Sequence, residues 1–231
     1  MHLFYQPHLG IDRFELTEEE SRHCSKVLRL AVGDIIHVTD GLGKMIKGRI
    51  DRISKSNVEG VIIESNRFEK EKFSVHLYIA PTKQMERMEW LVEKLCEIGI
   101  EAITFVQTQN AERPQIKLDR LIKKSISALK QSKGAWMTQI HEMIPFEQAI
   151  HSASTHLKLI AAVQPNQNVI TEVIKKHQTI AIFIGPEGDF TTDELRLAVD
   201  QGLVPVSLGN KVLRTETAGL YSCSAVHLLN S

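Results

Sequence analysis

The stretch Thr179-Ile180-Ala181-Ile182-Phe183-Ile184-Gly185-Pro186-Glu187-Gly188-Asp189-Phe190 reads as an apolar strand running into a glycine turn. Further on, Val204-Pro205-Val206-Ser207 runs into Leu208-Gly209-Asn210-Lys211-Val212-Leu213-Arg214-Thr215-Glu216-Thr217-Ala218. Each is a strand end, a glycine turn and a helix start. Thr191 followed by Glu194 has the spacing of a capping box. Strand-to-helix turns of this kind are where open parallel sheets bind ligands. Two of them close together in sequence predict one shared pocket.

Outward from these loops, the chain alternates strand and helix from Phe73 onward. Strands are predicted over Phe73 to Ala80, Ala102 to Val106, Leu157 to Val163, Thr179 to Ile184 and Val204 to Leu208. Helices are predicted over Met85 to Ile98, Leu118 to Ser132, Val169 to Lys176, from Thr191 onward and over Glu216 to Leu229. In the first helix Met88, Leu91, Leu95 and Ile98 share one face, and Gly99 is placed to end it. Such alternation predicts an α/β domain with a mostly parallel sheet covered by helices.

The first residues have a different texture. Thr17-Glu18-Glu19-Glu20 opens a short helix toward Leu28. Strand-like runs follow at 34–38, 45–50 and 58–63, separated by Asp40-Gly41-Leu42-Gly43 and Ser54-Lys55-Ser56-Asn57. Short strands with frequent turns predict a small β-barrel. The charged run from Arg67 to Lys72 reads as a linker, so the domains expected are 1–70 and 73–231.

Composition narrows the function classes. The chain has 231 residues, 42% hydrophobic, which supports a real core. Lys+Arg and Asp+Glu both total 28, so global charge selects no partner. Cys24, Cys96 and Cys223 are odd in number and widely spaced, which predicts reduced thiols rather than a disulfide framework or a zinc site. The ten histidines lack ligand spacing, and no metal is expected. No signal peptide is evident, and no apolar run approaches ~18 residues, so a cytoplasmic protein without a membrane span is expected.

Charge is distributed unevenly. Arg113, Lys117, Arg120, Lys123, Lys124, Lys130 and Lys133 face only Asp119 in their stretch. Lys117, Arg120 and Lys124 have the spacing of one helix face. Arg22, Lys26 and Arg29 form a second cluster near His23, and Lys44, Lys47, Arg49, Arg52 and Lys55 a third. These clusters contain no aromatic residues, so they point to phosphate contacts rather than base stacking. A solvated helix face is the alternative.

The two loops resemble the signature of the SPOUT methyltransferases. Within them the chain is most similar to the RsmE family, the bacterial 16S ribosomal RNA uracil-N3 methyltransferases. The segment Leu208 to Ala218 matches that family's LG-x-x-(I/V)-LR-x-ETA pattern at every fixed position. Arg22-His23 with Val27-Leu28-Arg29-Leu30 and Gly33-Asp34 resembles its PUA-like RNA-binding domain. Lys83, Met88-Glu89-Trp90, Lys94 and Glu97-Ile98-Gly99 resemble its first SPOUT helix, and Gln131-Ser132 a later one. Asp189 stands where glycine is usual, Lys133 where arginine is usual and Pro114 where serine is more common.

The resemblance implies a small N-terminal PUA-like β-barrel and a C-terminal SPOUT α/β domain with a parallel sheet and a deep trefoil knot. It also implies a homodimer, bound S-adenosylmethionine, and 16S rRNA or the small ribosomal subunit as partner. The cofactor residues would be Ile184, Gly185, Gly188, Leu208, Gly209, Val212, Leu213 and Thr217. Gly185, Gly188 and Gly209 would let an adenine approach the backbone, because glycine has no Cβ. Arg214 is the first candidate to stabilise a uracil anion. Glu187 and Glu216 are candidates to accept its proton or to orient Arg214. RNA contacts would come from Arg22, Lys26, Arg29, Lys83, Arg113, Lys117, Arg120, Lys124 and Lys133. Two other readings remain open: the same fold acting on a ribose 2′-hydroxyl, and an RNA-binding ribosome assembly factor whose cofactor site has decayed.

Overall fold

The computed structural model describes residues 2–54, 57–112, 115–162 and 167–231. The chain forms two compact units. One is Met1–Lys70 with Ile126–Met137, the other Glu71–Ser125 with Thr138–Ser231.

The first unit is built on β1 (Leu3–Tyr5), β2 (Arg13–Glu15), β3 (Ile35–Thr39), β4 (Lys44–Ile53) and β5 (Val58–Arg67). Their order is β1-β3-β4-β5-β2, with β1 parallel to β3 and the other pairs antiparallel. Along β4, Ile46, Gly48 and Ile50 point inward while Lys47, Arg49 and Asp51 point to solvent, the period of a half-buried strand. Register shifts at Lys47/Gly48 and Ile50/Arg52 bend β4, and bulges of this kind increase strand twist. The Gln6 side chain donates to the Glu15 carbonyl, joining the ends of the two edge strands and curling the sheet. The enclosed core holds Phe4, Phe14, Leu16, Ile36, Val38, Ile46, Ile50 and Val58. Gly48 and Gly60 are required there, since a Cβ at either would lie about 2.4 to 2.5 Å from the Phe14 ring.

Thr17 caps α1 (Glu18–Arg22), its hydroxyl accepting the Glu20 N–H. The Glu20 carboxylate does not reach back to close a capping box; it meets Lys130 Nζ at 2.6 Å. The helix continues as a π-helical turn over His23–Val27, with Leu28 N–H donating to the His23 carbonyl. The 126–137 segment of this unit ends with Lys133 left-handed (φ 59°) and Trp136 donating to the Phe68 carbonyl at 3.2 Å.

The second unit carries a seven-stranded parallel sheet, in chain order β6 (Ser74–Ile79), β7 (Ala102–Gln107), β8 (Gln139–Pro145), β9 (Leu157–Ala161), β10 (Asn168–Val169), β11 (Thr179–Ile184) and β12 (Val204–Ser207). The spatial order is β10-β12-β9-β11-β6-β7-β8. The central strands β11, β6 and β7 are apolar and buried almost throughout, as expected of strands covered on both faces. The unit's helices are α2 (Met85–Ile98), the first part of α3 (Leu118–Ser132, of which the residues from Ile126 belong to the first unit), α4 (Phe146–Ser152), α5 (Ile170–Val173), α6 (Thr192–Asp200) and α7 (Thr215–Asn230). Gly99, left-handed at φ 82°, ends α2, and the Thr191–Glu194 capping box starts α6. Tyr78 and Phe183 stack at 4.5 Å, and Phe146 and Phe190 extend that aromatic core. Gly219 lets α7 approach the sheet; a Cβ there would lie 3.1 Å from Ile79.

The helix expected over Val169 to Lys176 is only one turn, α5, because β-branched residues fill the stretch and Ile174 returns to extended backbone. The strand expected to reach Val163 ends at Ala161, and Val163 lies outside the described residues. No helix of the described residues is long and apolar enough to cross a membrane.

Candidate functional site

The carboxyl ends of β9, β11 and β12 open on one cavity of about 630 Å3. Its wall brings together Ile184, Gly185, Glu187, Leu208, Gly209, Val212, Leu213 and Arg214, all named from the sequence. Two hydrogen-bonded turns shape it. In the first, Asp189 N–H donates to the Pro186 carbonyl at 3.0 Å. In the second, the Ser207 hydroxyl accepts the Gly209 N–H at 3.2 Å, and Gly209 is left-handed at φ 116°. The Thr215 hydroxyl donates to the Gly185 carbonyl at 3.1 Å, fastening the start of α7 to the first turn.

The three glycines have different reasons. A Cβ at Gly209 would meet nothing within 4 Å, so this backbone is open to a ligand. A Cβ at Gly185 would press on the Phe190 ring at 3.1 Å, so this glycine serves packing. Gly188 is not on the cavity wall; its Cα faces Asn110, whose side-chain amide donates to the Gly188 and Asp189 carbonyls at 3.3 and 3.0 Å. Asp189, where glycine is usual, adopts φ 58° and accepts the Phe190 N–H on Oδ1 at 2.8 Å. Aspartate tolerates this region through such local bonds, so the turn keeps its shape.

Besides Gly188, two named residues stand off the wall. Thr217 is exposed on α7. Glu216 is 7% exposed and meets Arg87 of α2 at 3.7 Å rather than Arg214. Arg214 itself is exposed on the cavity wall. Pro186, Asn210 and Lys211 line the wall within the two loops, while Ala161, Ala162, Gln167, Val206, Ser207, Thr215 and Ala218 were not named as site residues. Ser207, Thr215 and Ala218 belong to or adjoin the two quoted loops and were within reach of the loop argument. Ala161, Ala162 and Gln167 carry no local signal, since only strand order brings them here.

The named cations sort by pairing. In the second unit Lys83 meets Glu112 at 3.2 Å, Arg120 meets Glu89 at 2.6 Å and Lys124 meets Glu93 at 3.2 Å. The expected basic face of α3 is thus partly committed to α2. Lys117 precedes α3 and is exposed. Arg113, with Pro114, lies outside the described residues, as does Lys55. In the first unit Arg22 pairs with Glu18, while Lys26, Arg29 and Lys133 are exposed. Arg29, like Lys133, is left-handed.

Thiolate chemistry has no support. All three cysteines are free and buried. Burial pushes the thiols of Cys24 and Cys96 up to about 11 and that of Cys223 up to about 12. Among the described residues no cluster of three or more His, Cys, Asp or Glu side chains is placed to hold a metal ion.

A family model of the RNA methyltransferase domain matches residues 69–227. The chain belongs to the RNA methyltransferase family. A second model, of the RNA methyltransferase PUA domain, matches residues 16–63 within the curled sheet. The chain is 29% identical to the ribosomal RNA small subunit methyltransferase E of Bacillus subtilis, covering 92% of this chain and 89% of that one. A crystal structure of a "probable rRNA-methyltransferase" from Porphyromonas gingivalis is 36% identical, with a TM-score of 0.94 over 100% of this chain and 98% of that one. A ribosomal RNA small subunit methyltransferase E from Neisseria gonorrhoeae, solved bound to S-adenosyl methionine, is 28% identical with a TM-score of 0.89, covering 100% of this chain and 98% of that one.

Proposed function

We propose that this methyltransferase moves a methyl group from S-adenosylmethionine to N3 of a uridine in 16S rRNA of the small ribosomal subunit. It works as a cytoplasmic homodimer, with residues 1–70 gripping RNA and residues 73–231 carrying the transfer. The observation that carries this reading is the cavity at the ends of β9, β11 and β12. Its volume of about 630 Å3 falls in the range of small-molecule sites. Its wall combines apolar strand ends with exposed backbone at Gly209, which suits an adenosine. The Neisseria relative's complex and the name of the Bacillus relative support the same reading.

Ile184, Gly185, Leu208, Gly209, Val212 and Leu213 would hold the cofactor. When bound, it supplies an electrophilic methyl group on a sulfonium. Uracil N3 carries a proton that must leave, and the charge left behind spreads over the ring oxygens. A fixed cation at the cavity lowers that cost. Arg214 is this cation, freed by the pairing of Glu216 with Arg87. Of the two carboxylates on the wall, Asp189 spends Oδ1 on the Phe190 N–H, which leaves exposed Glu187 as the candidate proton acceptor. Glu216 acts on α7, tying it to α2. Lys26, Arg29, Lys117 and Lys133, all exposed, would take phosphates first, because the paired cations must exchange a carboxylate to do so. Trp90 of α2 and Tyr221 of α7, 44% and 51% exposed on helices that pack together, offer apolar surface to a second copy.

Calorimetric titration with S-adenosylmethionine tests the site. The wild-type protein is expected to bind, and Gly209→Val to lose binding, because valine strains φ 116° and points into the cavity approach. Equal affinity in both proteins would remove the cavity from the account.

A further inference from the structure

Gln167 lies on the cavity wall just before β10. Both polar atoms of its carboxamide, Oε1 and Nε2, are buried and have no hydrogen-bond partner among the described residues. A buried amide left unanswered is costly and rare in folded proteins. One that borders a ligand cavity is accounted for if the ligand completes its hydrogen bonds.

Of the wall's other polar side chains, Glu187, Asn210, Lys211 and Arg214 are exposed, where water answers them, and Asp189 accepts the Phe190 N–H. Ala161, Ala162, Val206 and Leu213 are apolar. The Ser207 hydroxyl is engaged with Gly209, and the Thr215 hydroxyl with Gly185. A carboxamide presents one donor beside one acceptor. Adenine presents the complement, a 6-amino donor beside a ring-nitrogen acceptor, and a glutamine pairs with that edge through two bonds.

We infer that Gln167 is a specificity residue that selects the adenine base of the cofactor through its 6-amino edge. The inference rests on the proposed reading of the cavity as the S-adenosylmethionine site. It adds a buried base-reading carboxamide to a wall whose other polar side chains are exposed or already engaged.

The test is calorimetry on the full-length protein with two probes: S-adenosylhomocysteine, and its analogue carrying purine in place of adenine. Wild type is expected to bind the purine analogue roughly 10- to 100-fold more weakly, because purine keeps the ring-nitrogen acceptor but lacks the 6-amino donor and leaves the buried Gln167 Oε1 unanswered. Gln167→Leu keeps similar bulk and removes the amide. It is expected to bind S-adenosylhomocysteine more weakly by a similar factor and to stop distinguishing the two probes. Without ligand, Gln167→Leu is expected to melt at or above the wild-type temperature, because an unanswered amide has been removed. Discrimination that survives in Gln167→Leu overturns the assignment and leaves the base edge to the backbone. A lowered melting temperature with both probes weakened equally overturns it too, by making Gln167 a structural residue. Failure of wild type to bind either probe sinks the cofactor reading itself, and the inference with it.

Discussion

Arg214 and His76 show how one side chain's surroundings decide its work. Arg214 sits on the cavity wall while its neighbour in sequence, Glu216, is turned away to Arg87. Removing a positioned charge-stabilising donor typically costs 10²- to 10³-fold in turnover. Arg214→Ala is therefore expected to lower kcat by roughly 100-fold or more while cofactor affinity, by calorimetry, stays near wild type. Full activity in that variant would remove the electrostatic part of the mechanism. His76 is half-buried in β6, and its Nε2 lies 2.7 Å from the Thr104 hydroxyl. Burial, then the nearby His141, lowers its pKa from 6.5 to about 4. The folded protein thus keeps His76 neutral where the unfolded chain is already protonated. The unfolded state binds more protons between these values, so stability present above pH 6.5 is lost as pH falls toward 4. The loss is on the order of 3 kcal/mol at most. Urea midpoints measured from pH 7 to pH 4 are expected to fall less steeply in His76→Gln than in wild type; identical slopes would mean His76 does not carry the effect.

The cavity turns work as elements because other elements brace them. Asn110, in the loop after β7, holds the Gly188 and Asp189 carbonyls, and the Gln109 N–H donates to Glu194 at 2.8 Å at the start of α6. Asn110→Ala frees the back of the first turn without touching the cavity wall. It is expected to weaken cofactor binding several-fold, about 1 kcal/mol, with a small change in melting temperature. Unchanged affinity would show that the turn holds its shape alone. This bracing also marks the limit of the sequence reading. The turns after β11 and β12 were legible because glycine, proline and a capping threonine mark them locally. β8 was not, because it is an edge strand with a largely exposed face and no clean alternation. The charged face of α3 was seen, but not that Arg120 and Lys124 meet Glu89 and Glu93 of α2, since that pairing depends on packing. Gln167, Ala161 and Ala162 stayed hidden for a similar reason: only the placement of β9 between β11 and β12, and of β10 beside β12, brings them to the cavity.

At the scale of the whole molecule, the proposed function needs RNA binding and cofactor binding in one chain, and a second copy of that chain. The mass of one chain is 26.1 kDa. Sedimentation is expected to give twice that value for wild type and a shift toward the monomer when Trp90 and Tyr221 are both changed to glutamate. A wild-type monomer at micromolar concentration would contradict the dimer. The central claim is the reaction itself, and one measurement reaches it directly. Small ribosomal subunits and their naked 16S rRNA, prepared from cells lacking this protein, are incubated with the purified protein and S-adenosylmethionine carrying a labelled methyl group. The RNA is then digested to nucleosides and separated. The account predicts label in 3-methyluridine from a single site, lost with Arg214→Ala. Label in a ribose-methylated nucleoside, or RNA bound without any label transferred, would contradict it.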